Sequence, residues 1–199
     1  MAEHARVFVK LTCGSSASCL ALYDRTGWLF TSLEIAGDRL YNSLRPRRYN
    51  DRAAIDRLLG FLLCEGSHVE AAIPKARVGA AAGRREWWDT RMLVIGGEVA
   101  FTLVRKSGHP ITNLHLGGVR GTLAETGVAW EVLAAAEASC RTIFASERCL
   151  HLGVDVMFTA DLREHRVLEA NAFGDLLPNL ALRGRSVDAN EITTLLNNI

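Results

Sequence analysis

Long hydrophobic runs are absent from this sequence of 199 residues, and none approaches the ~20 residues that a membrane-spanning helix needs. An excess of charge of one sign is also lacking. The chain has 23 Lys and Arg residues against 22 Asp and Glu residues, which gives a net charge of +1. This balance demands neither a nucleic acid nor an anionic membrane as a partner, and we expect neither.

The five cysteines include no Cys-x-x-Cys pair and no plausible zinc set. Their number is odd and no secretory signal precedes them, which indicates reduced thiols in a cytoplasmic protein. A phosphate loop of the Walker type is missing as well, because Gly-Lys-Ser/Thr does not occur. The composition, 49% hydrophobic and 23% charged, is that of an ordinary globular chain. Its length suits one domain or two small lobes.

Strand patterns dominate the first third of the chain. "RVFVK" and "LALY" predict strands on either side of the small polar loop "CGSSAS", and "GWLFTSLEI" predicts another strand. We expect a helix to begin after Asn50 or Asp51 and to end at Gly66, because Ile55 and several leucines recur on one helical face. "HVEAAIP" predicts a short strand that Pro74 stops.

Two hairpins and a long helix are predicted in the rest of the chain. Gly96–Gly97 joins two β runs in "TRMLVIGGEVAFTLVR", and "LGVDVMFTADLREHRVLEAN" predicts a second hairpin. Thr122 and Glu125 form a capping box before a helix expected from Leu123 to Ser146. "ARVGAAAGRREWW" and "SGHPITNLHLGGVRG" predict loops, and the last residues predict a short helix. This order of elements indicates an α+β fold with mostly antiparallel sheets.

Polar side chains interrupt the second predicted hairpin. Glu169 and Asn171 stand two residues apart in a strand, so their side chains point to the same face. Asp155 lies in the preceding strand, and pairing of the two strands brings it within reach of them. Two carboxylates and an amide oxygen are suitable ligands for Mg²⁺ or Mn²⁺. In such sites the cation is also coordinated by phosphates of the substrate. The pattern predicts a cation site; the alternative is an exposed hairpin with solvated polar residues.

Two basic residues are candidate phosphate contacts. Lys10 ends an apolar strand beside the loop that contains Gly14 and Ser15, whose backbone N–H groups could assist it. The alternative is a lysine that snorkels at a sheet edge. Arg105 ends the first hairpin, and Asn113 lies in the loop after it. Arg105 could neutralise charge on a transferring phosphate, and a solvated arginine is the alternative.

Five segments together resemble the ATP-grasp ligases in order and content: "VFVKLTCGSSAS", "VEAAIPKA", "DTRMLVIGGEVAFTLVR", "TNLHLGG" and "GVDVMF…VLEANAF". The resemblance runs from about Arg6 to Leu180 and is nearest to ribosomal-protein glutamate ligases and glutathione-synthetase-like enzymes. It implies two lobes, 1–74 and 75–199, that grip ATP between mostly antiparallel sheets. It also implies ATP- and Mg²⁺-dependent ligation of a small-molecule or peptide carboxylate to an amine through an acyl phosphate.

The resemblance also implies roles for individual residues. Lys10 matches the strand lysine that contacts ATP phosphate. The segment "VEAAI" matches the hinge whose backbone reads adenine, which implies adenine contacts at Glu70, Ala71, Ala72 and Ile73.

In the second implied lobe, Asp89 and Arg91 match an Asp-x-Arg pair whose aspartate is associated with the nucleotide. Arg105 matches an arginine that faces the γ-phosphate, and Asn113 matches the asparagine of the glycine-rich loop. The residues that match the Mg²⁺ ligands are Asp155, Glu169 and Asn171.

The sequence departs from the family pattern at several points. Ala71 and Ala72 replace a larger acidic-aromatic pair of the hinge, Leu116 stands where some relatives have arginine, and Ala170 replaces a usual valine. Relatives carry an N-terminal substrate domain, whereas here Lys10 comes almost at once. We therefore expect a fragment or a reduced unit, for which a homodimer or a partner chain supplies the rest.

Three functions remain open from the sequence. The first is the ligase itself. The second is a nucleotide-binding module that binds Mg-ATP without independent catalysis, and the third is a structural or oligomerisation unit that keeps only the fold. The sequence does not identify the carboxylate or the amine.

Overall fold

The computed structural model describes residues 5–14, 17–79, 85–172, 179–182 and 184–197, so the candidate Ser15 lies outside the described residues. The chain divides into two compact units: Met1–Ile73 with Asn113–Gly118, and Pro74–Thr112 with Val119–Ile199. Both have antiparallel sheets and few helices, which confirms the α+β class. Within the described ranges, no helix combines the length and the apolar character needed to cross a membrane.

The described part of unit 1 contains one antiparallel sheet and one α-helix. In chain order the elements are β1 (Arg6–Leu11), β2 (Ala21–Asp24), β3 (Trp28–Ala36), β4 (Arg39–Tyr49), α1 (Arg52–Cys64) and β5 (Ser67–Ala71). A 3₁₀ turn at Leu114–Leu116 also belongs to this unit. The strand order in the sheet is β4-β3-β2-β1-β5.

Helix α1 covers one face of this sheet. Asp51 caps the helix by accepting a hydrogen bond from the Ala54 N–H at 2.8 Å, and the chain turns at Gly66 with a φ of +76°, as predicted. Apolar side chains of both elements form the core, namely Val9, Ala21, Leu29, Leu33, Ile55, Leu58 and Leu62. Because strand side chains alternate between faces, Lys10 lies on the face opposite α1.

Strand β4 was not predicted from the sequence. Its eleven residues, "RLYNSLRPRRY", are rich in arginine and include Pro46, which is untypical of a central strand. The strand lies at an edge of the described sheet, where a residue without an N–H is tolerated.

The described part of unit 2 contains six strands of a second antiparallel sheet. They are β6 (Arg77–Gly79), β7 (Arg85–Ile95), β8 (Glu98–Ser107), β9 (Val119–Gly121), β10 (His151–Phe158) and β11 (His165–Asn171). The described sheet has the order β11-β10-β7-β8-β9, and β6 pairs with β7. The helices are α2 (Leu123–Thr126), α3 (Trp130–Ser146) and α4 (Val187–Asn197), and a small ribbon joins β12 (Ala181–Leu182) to β13 (Arg185–Ser186).

Both hairpins are confirmed, and three other predictions were wrong. The segment "SGHPITNLHLGGVRG", expected to be a loop, ends in β9. The helix expected from Leu123 to Ser146 is broken into α2 and α3, because Gly127 adopts a left-handed φ of +67°. The segment "ARVGAAAGRREWW", expected to be a loop, contains β6 and the start of β7. Trp88 in this segment is fully buried and stacks on Phe158, with 4.9 Å between the ring centroids.

Helix α3 covers one face of the unit 2 sheet and thereby defines the other. Met92 on β7 and Val154 on β10 are directly paired and pack with Ala136 and Cys140 of the helix. Residues adjacent to Met92 and Val154 therefore point to the opposite face. That second face carries the candidate site.

Candidate functional site

One face of the unit 2 sheet brings together the polar residues of four strands. Directly paired residues point to the same side of a sheet. Asp89 pairs with Arg105, and Arg91 pairs with Asp155. On the next strand Asp155 pairs with Glu169, and two residues further along β11 Asn171 pairs with Gly153. The face opposite α3 thus carries five of the predicted site residues: Asp89, Arg105, Asp155, Glu169 and Asn171.

A chain of ion pairs runs across this face with alternating sign. Lys75 Nζ lies 2.9 Å from Asp89 Oδ2, and Arg105 Nε lies 2.8 Å from Asp89 Oδ1. Arg105 Nη2 lies 3.1 Å from Asp155 Oδ2, and Arg91 Nη2 lies 3.2 Å from the same oxygen. The five side chains that form these ion pairs, Lys75, Asp89, Arg91, Arg105 and Asp155, are each at most 11% exposed. We refer to these five residues as the buried charge network.

Asp89 anchors one end of the buried charge network. Besides Lys75 and Arg105, the Thr112 hydroxyl donates a hydrogen bond to its carboxylate. Burial raises the pKa of Asp89, but the charges of Lys75 and Arg105 outweigh that effect and leave the pKa lowered. The carboxylate is therefore ionised at neutral pH and fixes both cations in place.

Asp155 anchors the other end. Arg91 donates to both carboxylate oxygens, through Nε to Oδ1 and through Nη2 to Oδ2. Burial raises the pKa of Asp155, and the charges of Arg105 and Arg91 oppose that effect only in part, so the pKa stays raised. A carboxylate offers about four lone-pair positions, so three guanidinium contacts leave limited room for a further cation.

Glu169 and Asn171 lie together at the end of β11. Asn171 Nδ2 donates a hydrogen bond to Glu169 Oε1 at 3.0 Å, which agrees with the strand-parity argument. Glu169 is exposed, and its described partner is a neutral amide. In the described ranges, no group of three His, Cys, Asp or Glu side chains is arranged to hold a metal ion. The donor types nevertheless suit a hard cation that takes its remaining ligands from phosphates and water.

In unit 1, Lys10 contacts a residue of the predicted hinge. Its Nζ lies 2.5 Å from Glu70 Oε2, and His68 Nε2 lies 3.0 Å from Glu70 Oε1. The three side chains share the face opposite α1. The candidate phosphate lysine is thus held by a carboxylate.

The hinge backbone makes its own hydrogen bonds. Ala72 N–H donates to the Arg6 carbonyl at 3.1 Å, and Ile73 N–H donates to the Ala71 carbonyl at 3.0 Å. Glu70 and Ala71 belong to β5 at an edge of the described sheet. An adenine contact through the Ala72 or Ile73 N–H would require these donors to change partners.

Two further candidates lie in loops of unit 1. Gly14 is exposed just after β1. Asn113 precedes the 3₁₀ turn, and its Oδ1 accepts a hydrogen bond from the His115 N–H at 2.8 Å. Its carbonyl accepts hydrogen bonds from the N–H groups of Leu116 and Gly118. In this structure Asn113 stabilises the glycine-rich turn.

Sequence reasoning gave no role to Lys75 and Thr112. Lys75 Nζ donates to Thr112 Oγ1 at 2.9 Å and to the Pro110 carbonyl at 3.4 Å, in addition to its contact with Asp89. One available signal was the position of Lys75 in the otherwise apolar segment "AAIPKA". A lysine in such a setting needs a buried counter-charge.

Comparison with known proteins gives little help. No protein-family model matches the chain, and no curated protein matches it. One solved structure with a detectable match is the macrocyclase MdnC bound with precursor peptide MdnA, from Microcystis aeruginosa MRC. The sequence identity is 14% and the TM-score is 0.45, and the match covers 97% of this chain and 47% of that chain. The chain thus spans about half the length of MdnC, and the similarity is too weak to identify a fold or an activity.

Proposed function

We propose that the chain is an ATP-grasp-type, ATP-dependent carboxylate–amine ligase. In this proposal residues 1–74 form the lobe of the phosphate lysine and hinge, and residues 75–199 form the lobe of the cation site. The ordered sequence motifs support the fold. One observation carries the site: a single sheet face of unit 2 presents Asp89, Arg105, Asp155, Glu169 and Asn171.

Asp155, Glu169 and Asn171 would hold Mg²⁺ or Mn²⁺ together with the phosphates of ATP. The cation would supply positive charge that offsets the charge of the phosphates. Glu169 would be the principal protein ligand, because Asp155 is already bound by Arg91 and Arg105. Asp155 would hold the two arginines in place and offer its remaining lone pair to the cation.

The buried charge network favours an anionic ligand nearby. Its three cations, Lys75, Arg91 and Arg105, exceed its two carboxylates by one charge, which the neighbouring Glu169 balances until a cation binds Glu169. Asp89 and Asp155 hold the Arg105 guanidinium from two sides, so its orientation is fixed before a ligand binds. Such a preorganised charge stabilises developing negative charge without reorganisation, which suits the role of facing the γ-phosphate.

The proposed reaction has two steps. An oxygen of the substrate carboxylate attacks the γ-phosphorus, and the bond from that phosphorus to ADP breaks, which gives an acyl phosphate. The nitrogen of an amine then attacks the acyl carbon and loses a proton. The bond between that carbon and the phosphate oxygen breaks, and inorganic phosphate leaves. Arg105 would stabilise the transferring phosphoryl group, and Lys10 would contact a phosphate as a point charge.

The nucleotide base would lie near the edge strand β5. Because the Ala72 N–H donates to the Arg6 carbonyl, the alternation of the antiparallel ladder turns the backbone groups of Glu70 toward β1 and those of Ala71 outward. The Ala71 N–H is therefore the better candidate to read adenine. Asp89 would act on the nucleotide through the arginine that it holds. Gly14, Ser15 and Asn113 remain proposed loop contacts.

The test is the release of ADP from Mg-ATP in the presence of carboxylate and amine mixtures, with each class omitted in turn. The proposal predicts release that needs both classes. Binding of Mg-ATP without release under any mixture would favour the non-catalytic nucleotide-binding module. Absence of Mg-ATP binding would exclude both and leave a structural unit.

A further inference from the structure

The ion pair between Lys10 and Glu70 arises from the register of β1 and β5, which are neighbouring strands of the unit 1 sheet. Lys10 on β1 pairs with His68 on β5, and Glu70 lies two residues further along β5. Residues two apart on a strand share a face, so Glu70 is the diagonal neighbour of Lys10. The Lys10 ammonium contacts Oε2 of Glu70 at 2.5 Å, and the His68 ring contacts Oε1 at 3.0 Å.

The Glu70 carboxylate is charged and accessible. Burial raises its pKa, but hydrogen bonds from Lys10 and His68 outweigh the effect of burial and leave the pKa lowered. The Lys10 side chain is 23% exposed and that of Glu70 is 38% exposed. Ion pairs that solvent reaches to this degree are only weakly stabilising, so an incoming anion can break this one.

A phosphate that binds Lys10 meets this carboxylate. Two anions within a few ångströms of each other repel, and both compete for the same ammonium. His68 offers Glu70 a second partner on the same face, so the carboxylate can stay hydrogen-bonded after it releases Lys10. The structure therefore contains both the obstacle to phosphate binding and a place for the displaced carboxylate.

We infer that Glu70 competes with the nucleotide phosphates for Lys10 and thereby lowers the affinity of the site for anions. This inference rests on the proposed function in taking a nucleoside triphosphate as the natural ligand. It assigns a role to the Glu70 side chain, whereas the resemblance to the hinge concerns only the backbone. The exchange replaces one ion pair with another and requires no covalent step.

Calorimetric titration with two probes, Mg-ATP and metal-free inorganic tripolyphosphate, tests the inference. The variants are Glu70→Gln, Lys10→Met and the double variant. Glu34→Gln is the matched control, because Glu34 also pairs with a cation, Arg47 at 2.7 Å, but lies on β3, with β2 and β1 between it and β5.

Glu70→Gln is expected to bind both probes about two- to fivefold more tightly, the range that loss of a part-exposed ion pair allows. Lys10→Met should weaken binding, and the double variant should be no tighter than Lys10→Met. The control should match the unmodified chain. Tighter tripolyphosphate binding that needs Lys10 supports the inference even if Mg-ATP does not bind, which would count only against the proposed function.

Unchanged or weaker binding of both probes by Glu70→Gln, with Lys10→Met still impaired, would overturn the inference and leave the proposed function intact. A gain in affinity that persists in the double variant would also overturn it. The tighter binding would then arise from the loss of the Glu70 negative charge itself and not from the release of Lys10.

Discussion

Asp155 and Arg91 occupy directly paired positions on β10 and β7, and both oxygens of the Asp155 carboxylate accept hydrogen bonds from the Arg91 guanidinium. A residue that the sequence suggested as a cation ligand is thus also the anchor of a buried arginine. The two tasks are compatible only if the carboxylate keeps a lone pair directed toward Glu169, its partner on β11. This pairing makes the stability of unit 2 and its proposed chemistry depend on the same contacts.

Removal of Arg91 should destabilise the chain. In Arg91→Met the buried Asp155 carboxylate loses a two-point partner and keeps Arg105, and we expect a loss of about 3 kcal/mol in the free energy of unfolding. Denaturant unfolding measures this loss. The control is Arg52→Met, because Arg52 pairs with Asp56 on an exposed helix face and its loss should have a much smaller effect. Equal losses in both variants would show that the Asp155–Arg91 pair contributes no more than a surface pair.

Asp24 should make unit 1 sensitive to acid. Hydrogen bonds from Thr26, and then from Arg6, lower the pKa of its carboxyl from 3.8 to about 2. Because the folded pKa lies below the unfolded pKa, the ionised carboxylate stabilises the fold above about pH 4. That contribution is lost as the pH falls through about 2.

The variant Asp24→Asn separates this effect from general acid unfolding. Its deficit in unfolding free energy relative to the unmodified chain should be largest near neutral pH and should shrink as the pH falls from about 4 toward 2. Denaturant unfolding at several pH values measures it. A deficit that stays constant over that range would contradict the assignment of the lowered pKa to Asp24.

Gly96 in the first hairpin should not tolerate a side chain. Its φ is +56°, and an added Cβ would collide with the Thr194 side chain of α4. Gly96→Ala should therefore cost about 2 kcal/mol or more, from backbone strain and from the steric clash together. The double variant with Thr194→Ala should recover the part that belongs to the clash. Thermal unfolding of the single and double variants measures the difference, and no recovery would mean that backbone strain alone is responsible.

Local patterns were sufficient to predict much of the fold. The Gly96–Gly97 turn, the Asp51 cap and the capping box at Thr122 are signals that neighbouring residues supply, and all three are present in the structure. Strand parity likewise placed Glu169 beside Asn171, because a two-residue spacing needs no knowledge of the partner strand.

The long-range pairings could not be predicted in this way. Arg91 and Asp155 are 64 positions apart, and Lys75 and Thr112 are 37 positions apart. Their contacts depend on the register between strands and on the route of the chain, which hydrophobic periodicity does not specify. Edge strand β4 was missed for a different reason: its arginines and Pro46 lack the apolar alternation of a half-buried strand.

The most direct test of the proposed cation site is calorimetric titration of Mg-ATP into the unmodified chain and into Glu169→Gln. The substitution removes a ligand charge from an exposed position and changes no core volume, so the free energy of unfolding should stay within about 0.5 kcal/mol. Glu164→Gln is the control, because Glu164 is exposed in the turn before β11 and pairs with Arg166. The account predicts that the unmodified chain and the control bind Mg-ATP equally, and that Glu169→Gln binds at least about tenfold more weakly. Equal affinity of all three proteins, or no binding by the unmodified chain, would contradict it.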